Sequence, residues 1–329
     1  MFDLVALGET LIDFTPSGTN EQGMTLFARN PGGAPANVLA MNAILGGKTA
    51  FIGMVGQDAF GDFLESTMQK AGIDVSGLVR SKDAPTTLAF VQLDEKGDRS
   101  FSFYRKPGAD VCLAPEDVDV DLLTGCRVFH FGAVSLTDEP ARSATLFAAK
   151  EAKKAGALIS FDPNYRPPLW ESEGAARQAM TEALPLADIL KVSDEEAALL
   201  TGTTAIEQAG RALLDAGAAL VLITGGEKGA FFMTDNVMGA APAFAVNAVD
   251  TTGSGDAFVG ALLYRLRGLD REAIGALSRE ELTDAVTFAS AAGGLTAEKK
   301  GAIPAMPGGA AIEECIKNTA RLSELCLWK

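Results

Sequence analysis

Residues 250–258 read DTTGSGDAF, a glycine-rich turn that runs directly into an apolar helix pattern. Small residues at Gly253, Ser254 and Gly255 let the backbone approach an anion closely, and the free N–H groups of a helix start point toward it. Such fixed dipoles stabilise charge that develops on a transferred phosphate. Asp256, in the first helical turn, is placed to orient and deprotonate an attacking hydroxyl. The alternative is a surface loop with an acidic cap, since Asp favours any helix N-terminus.

Two other phosphate-binding motifs are incomplete in this sequence. Phe258 stands where the dinucleotide-binding fingerprint needs its third glycine. Residues 47–49 (GKT) resemble the end of a Walker A loop, but Asn42 occupies the position of the leading glycine, and residues 50–52 read as a strand. We therefore interpret Lys48 as a solvated turn residue.

Apolar runs alternate with helical patterns along most of the chain. The predicted strands cover residues 4–8, 49–55, 128–131, 158–162, 189–192 and 220–224, and the predicted helices include 35–45 and 139–155. Continuous apolar strands separated by helices indicate a parallel sheet covered on both faces, so the fold class is α/β with three layers. Ligands of such sheets collect at the carboxyl ends of the strands, where residues 162–164 (DPN) and 224–226 (TGG) lie.

One stretch interrupts this alternation. Residues 86–105 show two period-2 strands around a turn at 94–98, which predicts a β-hairpin. With the irregular segment 13–30 it would form a small sheet that carries Phe101 and Phe103 on one face. Because a small sheet cannot bury that face alone, it covers either the site or a partner subunit. A lid is the simpler interpretation, and a homodimer through the lid stays open.

We accordingly expect one domain over residues 1–329, with lid segments at about 11–31 and 85–108 inserted in it. The sequence shows no internal repeat, no low-complexity tract and no linker long enough to divide the chain. It contains no run of eighteen apolar residues, and its first residues lack the basic start of a signal peptide. These features favour a cytoplasmic location.

The chain is strongly acidic. Its 28 Lys and Arg against 43 Asp and Glu give a net charge of −15, which argues against nucleic acid and anionic membranes as partners. Phosphate binding must therefore depend on local amides and cations. The cysteines (Cys112, Cys126, Cys315 and Cys326) lack metal-ligand spacing, and the single histidine, His130, lies in an apolar strand pattern, so we interpret all of them as structural.

A second glycine cluster, residues 31–37 (PGGAPAN), also ends a loop and begins a helix. It could be ordinary helix punctuation, with Pro near the first turn. Paired with residues 250–258, however, it resembles the two signatures of the ribokinase-like (PfkB) carbohydrate kinase family. The resemblance extends over nearly the whole chain and implies a ribokinase-like three-layer αβα sandwich with a small β-sheet lid.

The resemblance implies a role for each motif residue. It places Gly32, Gly33 and Asn37 at the sugar, with the Asp13 side chain binding sugar hydroxyls. A carboxylate and an amide suit that task because they pair with hydroxyls that an apolar pocket would leave unsatisfied. Asp256 becomes the catalytic base, and Gly253, Ser254 and Gly255 become the anion hole.

The resemblance also implies sites for the nucleotide and for cations. The set expected to bind ATP is Lys191, Thr224, Gly226, Gly229, Gly253 and Gly255. The family's Asn-x-x-Glu motif, which supports Mg²⁺ through water, corresponds to residues 193–196, where Ser193 replaces the asparagine and Glu196 is kept. That segment is also a good helix start. The adenine pocket is expected from residues 289–304, including Gly301 and Ala302. Asp250 and Thr252 would hold a potassium-type ion.

Three segments are similar to those of bacterial fructokinases: 32–38 (GGAPANV), 100–105 (SFSFYR) and 162–170 (DPNYRPPLW). They add four candidate sugar contacts, namely Phe103, Arg105, Asn164 and Arg166. The implied reaction is ATP plus D-fructose giving D-fructose 6-phosphate and ADP. A sibling kinase acting on 2-keto-3-deoxygluconate or ribose is the nearest alternative, because acceptor specificity depends on a few side chains of the lid and the pocket. An acidic sugar would need an additional cationic partner, which Arg105 and Arg166 would supply. A non-catalytic sugar-binding regulator is a more distant one.

Overall fold

The computed structural model describes residues 1–93 and 99–322, which form two β-sheets and the helices that pack on them. The strands are β1 (Phe2–Leu7), β2 (Leu11–Thr19), β3 (Thr25–Gly32), β4 (Thr49–Gly56), β5 (Ile73–Ser81), β6 (Leu88–Leu93), β7 (Arg99–Tyr104), β8 (Cys126–Gly132), β9 (Leu158–Asp162), β10 (Ile189–Ser193), β11 (Leu220–Thr224), β12 (Ala230–Met233) and β13 (Met238–Ala241). The helices are α1 (Ala34–Ile44), α2 (Ala59–Lys70), α3 (Val120–Thr124), α4 (Ala141–Lys154), α5 (Glu173–Ala183), α6 (Asp194–Thr201), α7 (Ile206–Asp215), α8 (Ser254–Arg265), α9 (Arg271–Gly275), α10 (Arg279–Ala297) and α11 (Gly309–Asn318).

The large sheet has nine strands in the order β13-β12-β11-β10-β9-β8-β1-β4-β5. The pairs from β11 to β5 are parallel, and β12 and β13 extend the sheet with antiparallel pairs. The predicted parallel sheet is therefore confirmed, and each of the predicted strands belongs to it.

Helices cover both faces of this sheet. Along β11, Val221 and Ile223 pack in one core with α4, α5, α6 and α7, whereas Leu220 and Leu222 pack in another with α1, α8, α10 and α11. Successive side chains of a strand point to opposite faces, so a strand covered on both sides is apolar at every position. This explains the continuous apolar runs in the sequence.

The small sheet has the order β3-β2-β6-β7, and the antiparallel β6–β7 pair confirms the predicted hairpin. The segment 13–30 joins the hairpin in this sheet as predicted, but it is not irregular, because β2 and β3 pair there from Leu11 with Gly32 onward. Pro16 obscured the strand pattern, but it is tolerated because β6 pairs only with residues 12–14 of β2. The turn at 94–98 and the Phe101 side chain lie outside the described residues.

The structure agrees with the interpretations of Lys48, His130 and the cysteines at the positions that it describes. Lys48 is exposed, and His130 is buried with its Nδ1 3.0 Å from the Ser160 hydroxyl. Cys126 and Cys315 are buried free thiols, Cys112 is a half-buried one, and Cys326 lies outside the described residues. None of the helices in residues 1–93 and 99–322 is both long enough and apolar enough to span a bilayer.

Candidate active site

The glycine-rich turn meets α8 in the way that the sequence predicts. Gly253 caps the helix with a φ of 77°, in the left-handed region. A Cβ at this position would lie 2.6 Å from the Ala302 Cβ, so both conformation and space require glycine. Ser254 donates a hydrogen bond from its hydroxyl to the Gly293 carbonyl at 2.7 Å, which fixes the helix start against α10.

The Asp256 carboxylate is buried in the first turn of α8 and receives one hydrogen bond on each oxygen. The Asn37 Nδ2 donates to Oδ2 at 2.8 Å, and the Asn164 Nδ2 donates to Oδ1 at 3.1 Å. Burial raises the pKa of Asp256, against the opposing effect of the Asn37 hydrogen bond. A raised pKa suits a group that accepts a proton near neutral pH.

Asn37 reaches Asp256 because α1 and α8 pack in very close contact. A Cβ on Gly260 would lie 2.4 Å from the Val38 carbonyl oxygen, so the two backbones approach only where a side chain is absent. The Asn42 Nδ2 donates to the Gly260 carbonyl at 3.1 Å and adds a polar contact to this crossing. The helix pair therefore fixes the position of one glycine motif relative to the other.

The two glycines of the first motif pack closely against Asp13 and Glu9. A Cβ on Gly32 would lie 2.2 Å from the Asp13 Oδ2, and one on Gly33 would lie 2.4 Å from the Glu9 carbonyl oxygen. Gly33 has a φ of 114°, which L side chains rarely adopt. Burial raises the pKa of Asp13 to about 6, while the Arg166 guanidinium opposes the rise. These contacts bring together the residues expected to hold hydroxyl groups.

Of the two candidate arginines, Arg105 and Arg166, only Arg166 acts on the carboxylates of Asp13 and Asp256. Arg166 is exposed, donates to the carbonyls of Asn164 and Tyr165, and lowers the pKa of both Asp13 and Asp256. Phe103 on β7 is half-buried.

Arg105 is instead buried and donates its hydrogen bonds to protein groups. It donates to the Asp110 carboxylate at 2.7 Å, to the Thr137 hydroxyl at 2.7 Å and to the Val134 carbonyl at 3.0 Å. Its expected contact with a ligand stays a prediction.

A cavity of about 740 Å³ lies on the other side of the α8 start. Its lining includes four of the six residues expected to bind ATP, namely Thr224, Gly226, Gly229 and Gly255, together with Ser254 of the expected anion hole. It also includes Ser290, Gly293, Gly294 and Ala297 from the expected segment 289–304. The wall also includes residues 243–248 and Leu322, which no motif in the sequence indicated.

Lys191 places a buried positive charge beside the same helix start. Its Nζ lies 3.0 Å from the Asp162 Oδ2, and a Cβ on Gly255 would lie 3.5 Å from that nitrogen. Burial lowers the pKa of Lys191, but the carboxylates of Asp162 and Glu196 outweigh it, so the pKa is raised. Lys191 therefore remains protonated at the edge of the candidate anion hole.

A family model described as pfkB family carbohydrate kinase matches residues 1–308. The chain belongs to this family. It is 43% identical over 320 residues to Fructokinase-2 of Oryza sativa subsp. japonica, with 96% of this chain and 94% of that protein covered.

Two solved structures are similar over 96% of this pfkB kinase and 99% of their own chains. One is a fructokinase with bound ATP from Xylella fastidiosa, with a TM-score of 0.88 and 35% identity. The other is a fructokinase from Vibrio cholerae O395 in a fructose, ADP and calcium ion bound form, with a TM-score of 0.84 and 37% identity. The ribokinase-like fold and the family resemblance are thus confirmed.

In this pfkB kinase, Glu196 is fixed by the backbone around it. Its Oε1 accepts from the Tyr165 N–H and its Oε2 from the Ser193 N–H, each at 2.7 Å, and the Ser193 hydroxyl accepts from the Glu196 N–H in return. Ser193 therefore serves as the N-cap of α6, a role that serine and asparagine perform about equally well. The loop at 301 is joined to Asp250, whose Oδ2 accepts from the Gly301 N–H at 3.1 Å.

Proposed function

We propose that this kinase transfers the γ-phosphoryl group of ATP to D-fructose, giving D-fructose 6-phosphate and ADP. The observation that carries the proposal is the Asp256 carboxylate, which accepts a hydrogen bond from Asn37 of the sugar motif and directly follows Gly255, a residue that lines the cavity. An acceptor bound by the first motif and a nucleotide bound in the cavity would therefore meet at this carboxylate. The names of the relatives and the fructose and ADP of the Vibrio cholerae structure favour the same substrates.

The proposed step is an in-line displacement. The fructose 6-hydroxyl oxygen forms a bond to the γ-phosphorus, the bond to the β–γ bridging oxygen breaks, and its electron pair leaves with ADP. Asp256 accepts the hydroxyl proton, and the amides of Asn37 and Asn164 orient its oxygens. The N–H groups at the start of α8 and the Lys191 ammonium stabilise the charge of the transferred group.

The site fits a metal ion that arrives with the nucleotide. In the residues that the structure describes, no cluster of three or more His, Cys, Asp or Glu side chains could hold an ion by itself. Glu196 uses one lone pair of each oxygen on a backbone N–H, which leaves others for metal-bound water. We propose Glu196 as the residue that would hold hydrated Mg²⁺. The ion would neutralise phosphate charge. Asp250 and Thr252 remain the candidates for a monovalent cation.

We also propose that the small sheet is the lid over the sugar. Its strand β2 carries Asp13, and β3 ends at Gly32, so the sheet supplies part of the acceptor pocket. A cytoplasmic location and a homodimer through this sheet stay predictions. An acidic sugar is less favoured than fructose, because Arg105 donates to protein groups and leaves Arg166 as the cation beside Asp13.

The test is ADP release in a coupled assay with fructose, mannose, ribose, tagatose and 2-keto-3-deoxygluconate. Fructose should give the highest kcat/KM, and Asp256→Asn should lower kcat by roughly 10²- to 10⁴-fold while the protein stays folded. Asp235→Asn is the matched control, since that carboxylate is 80% exposed. Preference for another sugar would reject the substrate, and near-normal turnover by Asp256→Asn would reject the mechanism.

A further inference from the structure

The loop after β9 holds a residue in an unusual backbone conformation beside Asp256. Asn164 has a φ of 46°, and it is the one non-glycine residue with positive φ among residues 1–93 and 99–322. Asparagine tolerates the left-handed region better than most residues, but the conformation is still less favourable than the right-handed or extended regions. It must therefore be maintained by neighbouring groups.

Two carboxylates hold the backbone of this loop in place. The Asn164 N–H donates to the Asp162 Oδ1 at 3.1 Å, and the following N–H, of Tyr165, donates to the Glu196 Oε1 at 2.7 Å. Asp162 is fixed in turn by its ion pair with Lys191, and Glu196 by the cap of α6. The direction of the Asn164 side chain is thus set by groups that are themselves buried.

That side chain points at the catalytic carboxylate. Its Nδ2 donates to the Asp256 Oδ1, while the Asn37 Nδ2 donates to Oδ2. The Asn37 Oδ1 is buried with no hydrogen-bond partner, so Asn37 keeps an acceptor for a sugar hydroxyl. Asp256 thus receives one amide donor on each oxygen, one from the sugar motif and one from the loop after β9.

We propose that Asn164 is a positioning residue that holds Asp256 for proton transfer, rather than a residue that chiefly binds the sugar. By donating to one carboxylate oxygen it fixes the rotation of the carboxylate and favours the ionised form. The charged groups that act on Asp256 are Asp162, Arg166 and Lys191, with Asp13 nearby. The proposal rests on the proposed role of Asp256 as the base.

The test compares Asn164→Gly with Asn164→Ala. Glycine keeps the left-handed conformation and removes the amide, whereas alanine removes the amide and disfavours the conformation. Asn164→Gly should lower kcat by roughly 10- to 100-fold, leave the fructose KM within about twofold, and move the acid limb of the pH profile up by about one pH unit. In an Asp256→Asn background the same change should have no further effect on kcat.

Three results would overturn the proposal. If Asn164→Gly has the kcat of the wild type, the Asn164 side chain does not position Asp256, and the residue matters only for the backbone conformation. If its KM is raised and its kcat is unchanged, Asn164 is a sugar contact. The third comes from ¹³C-aspartate NMR of the free enzyme, with the Asp256 signal assigned by its loss in Asp256→Asn. The pKa of Asp256 should rise in Asn164→Gly, and an unchanged pKa contradicts the proposal. That measurement needs no substrate, so it stands even if wild-type protein phosphorylates no sugar of the panel and the proposed function fails.

Discussion

The Glu9→Gln substitution tests whether the end of β1 holds a carboxyl group that is protonated at moderate pH. Glu9 is 5% exposed, its Oε1 accepts from the Ala34 N–H at 3.0 Å, and its Oε2 has no hydrogen-bond partner. Burial raises the pKa of Glu9 from 4.5 to about 7; the Asp110 carboxylate adds to the rise and Arg105 opposes it. The folded protein therefore binds this proton more tightly than the unfolded chain does.

The difference between the folded and unfolded pKa values of Glu9 sets the sign and the size of the change in stability with pH. The proton on Glu9 favours folding below pH 4.5, and that contribution is lost as the pH rises through about 7. At about 1.4 kcal/mol for each pH unit between the two pKa values, the full loss is about 3.5 kcal/mol. Glutamine carries no charge at any pH. The stability of Glu9→Gln relative to wild type should therefore increase by about 2 to 3 kcal/mol between pH 5 and pH 8.

Urea unfolding followed by circular dichroism at pH 5, 6, 7 and 8 measures this difference. Asp13 and Asp256 titrate in both proteins, so their contributions cancel in the comparison. Glu21→Gln, at an exposed position, serves as the control and should show no pH-dependent difference from wild type. A constant difference between Glu9→Gln and wild type across this range would refute the reasoning, because it would mean that Glu9 titrates alike in the folded and unfolded states.

Three further predictions follow from buried groups and backbone conformation. Since burial raises the pKa of Asp13 to about 6, the fructose KM should rise up to about tenfold per pH unit below pH 6, and a flat KM down to pH 5 would contradict its role. Gly253→Ala should weaken ATP binding at least about tenfold in calorimetry, because its Cβ would meet Ala302 and its φ is 77°; unchanged affinity would mean that the turn can shift freely. Arg105→Met should lower the free energy of unfolding by about 3 to 5 kcal/mol, since it leaves the Asp110 charge buried and unpaired. Asp110→Asn should restore part of that loss in the double variant, and no rescue would argue against the ion pair.

The sequence predicted those parts of the molecule whose signals are local. The run 253–256 specifies its own turn and helix start through two glycines, and continuous apolar strands specify a sheet covered on both faces. Residues 31–37 were likewise identified from their own glycines and from the helix pattern that follows them. Each of these features depends on residues within one turn or one strand.

Contacts between distant segments were beyond a local reading. Nothing near Gly260 indicates that the Val38 carbonyl will approach it, and nothing near Asn164 indicates that its amide will reach Asp256. The partners of Arg105 are a further example, because the sequence did not indicate that its guanidinium donates to a buried acid and two other protein groups. Such outcomes depend on how whole elements pack, which single-sequence patterns do not encode.

The crossing of α1 and α8 has a consequence for when activity appears during synthesis. It joins Asn37 to Asp256, which are separated by 219 positions along the chain. A ribosome that has released only the first half of the polypeptide has produced the proposed acceptor motif without the proposed base. Phosphate transfer should thus emerge abruptly, once the C-terminal quarter has docked. Two fragments cut between these helices would each be inert and would recover turnover only by reassociating.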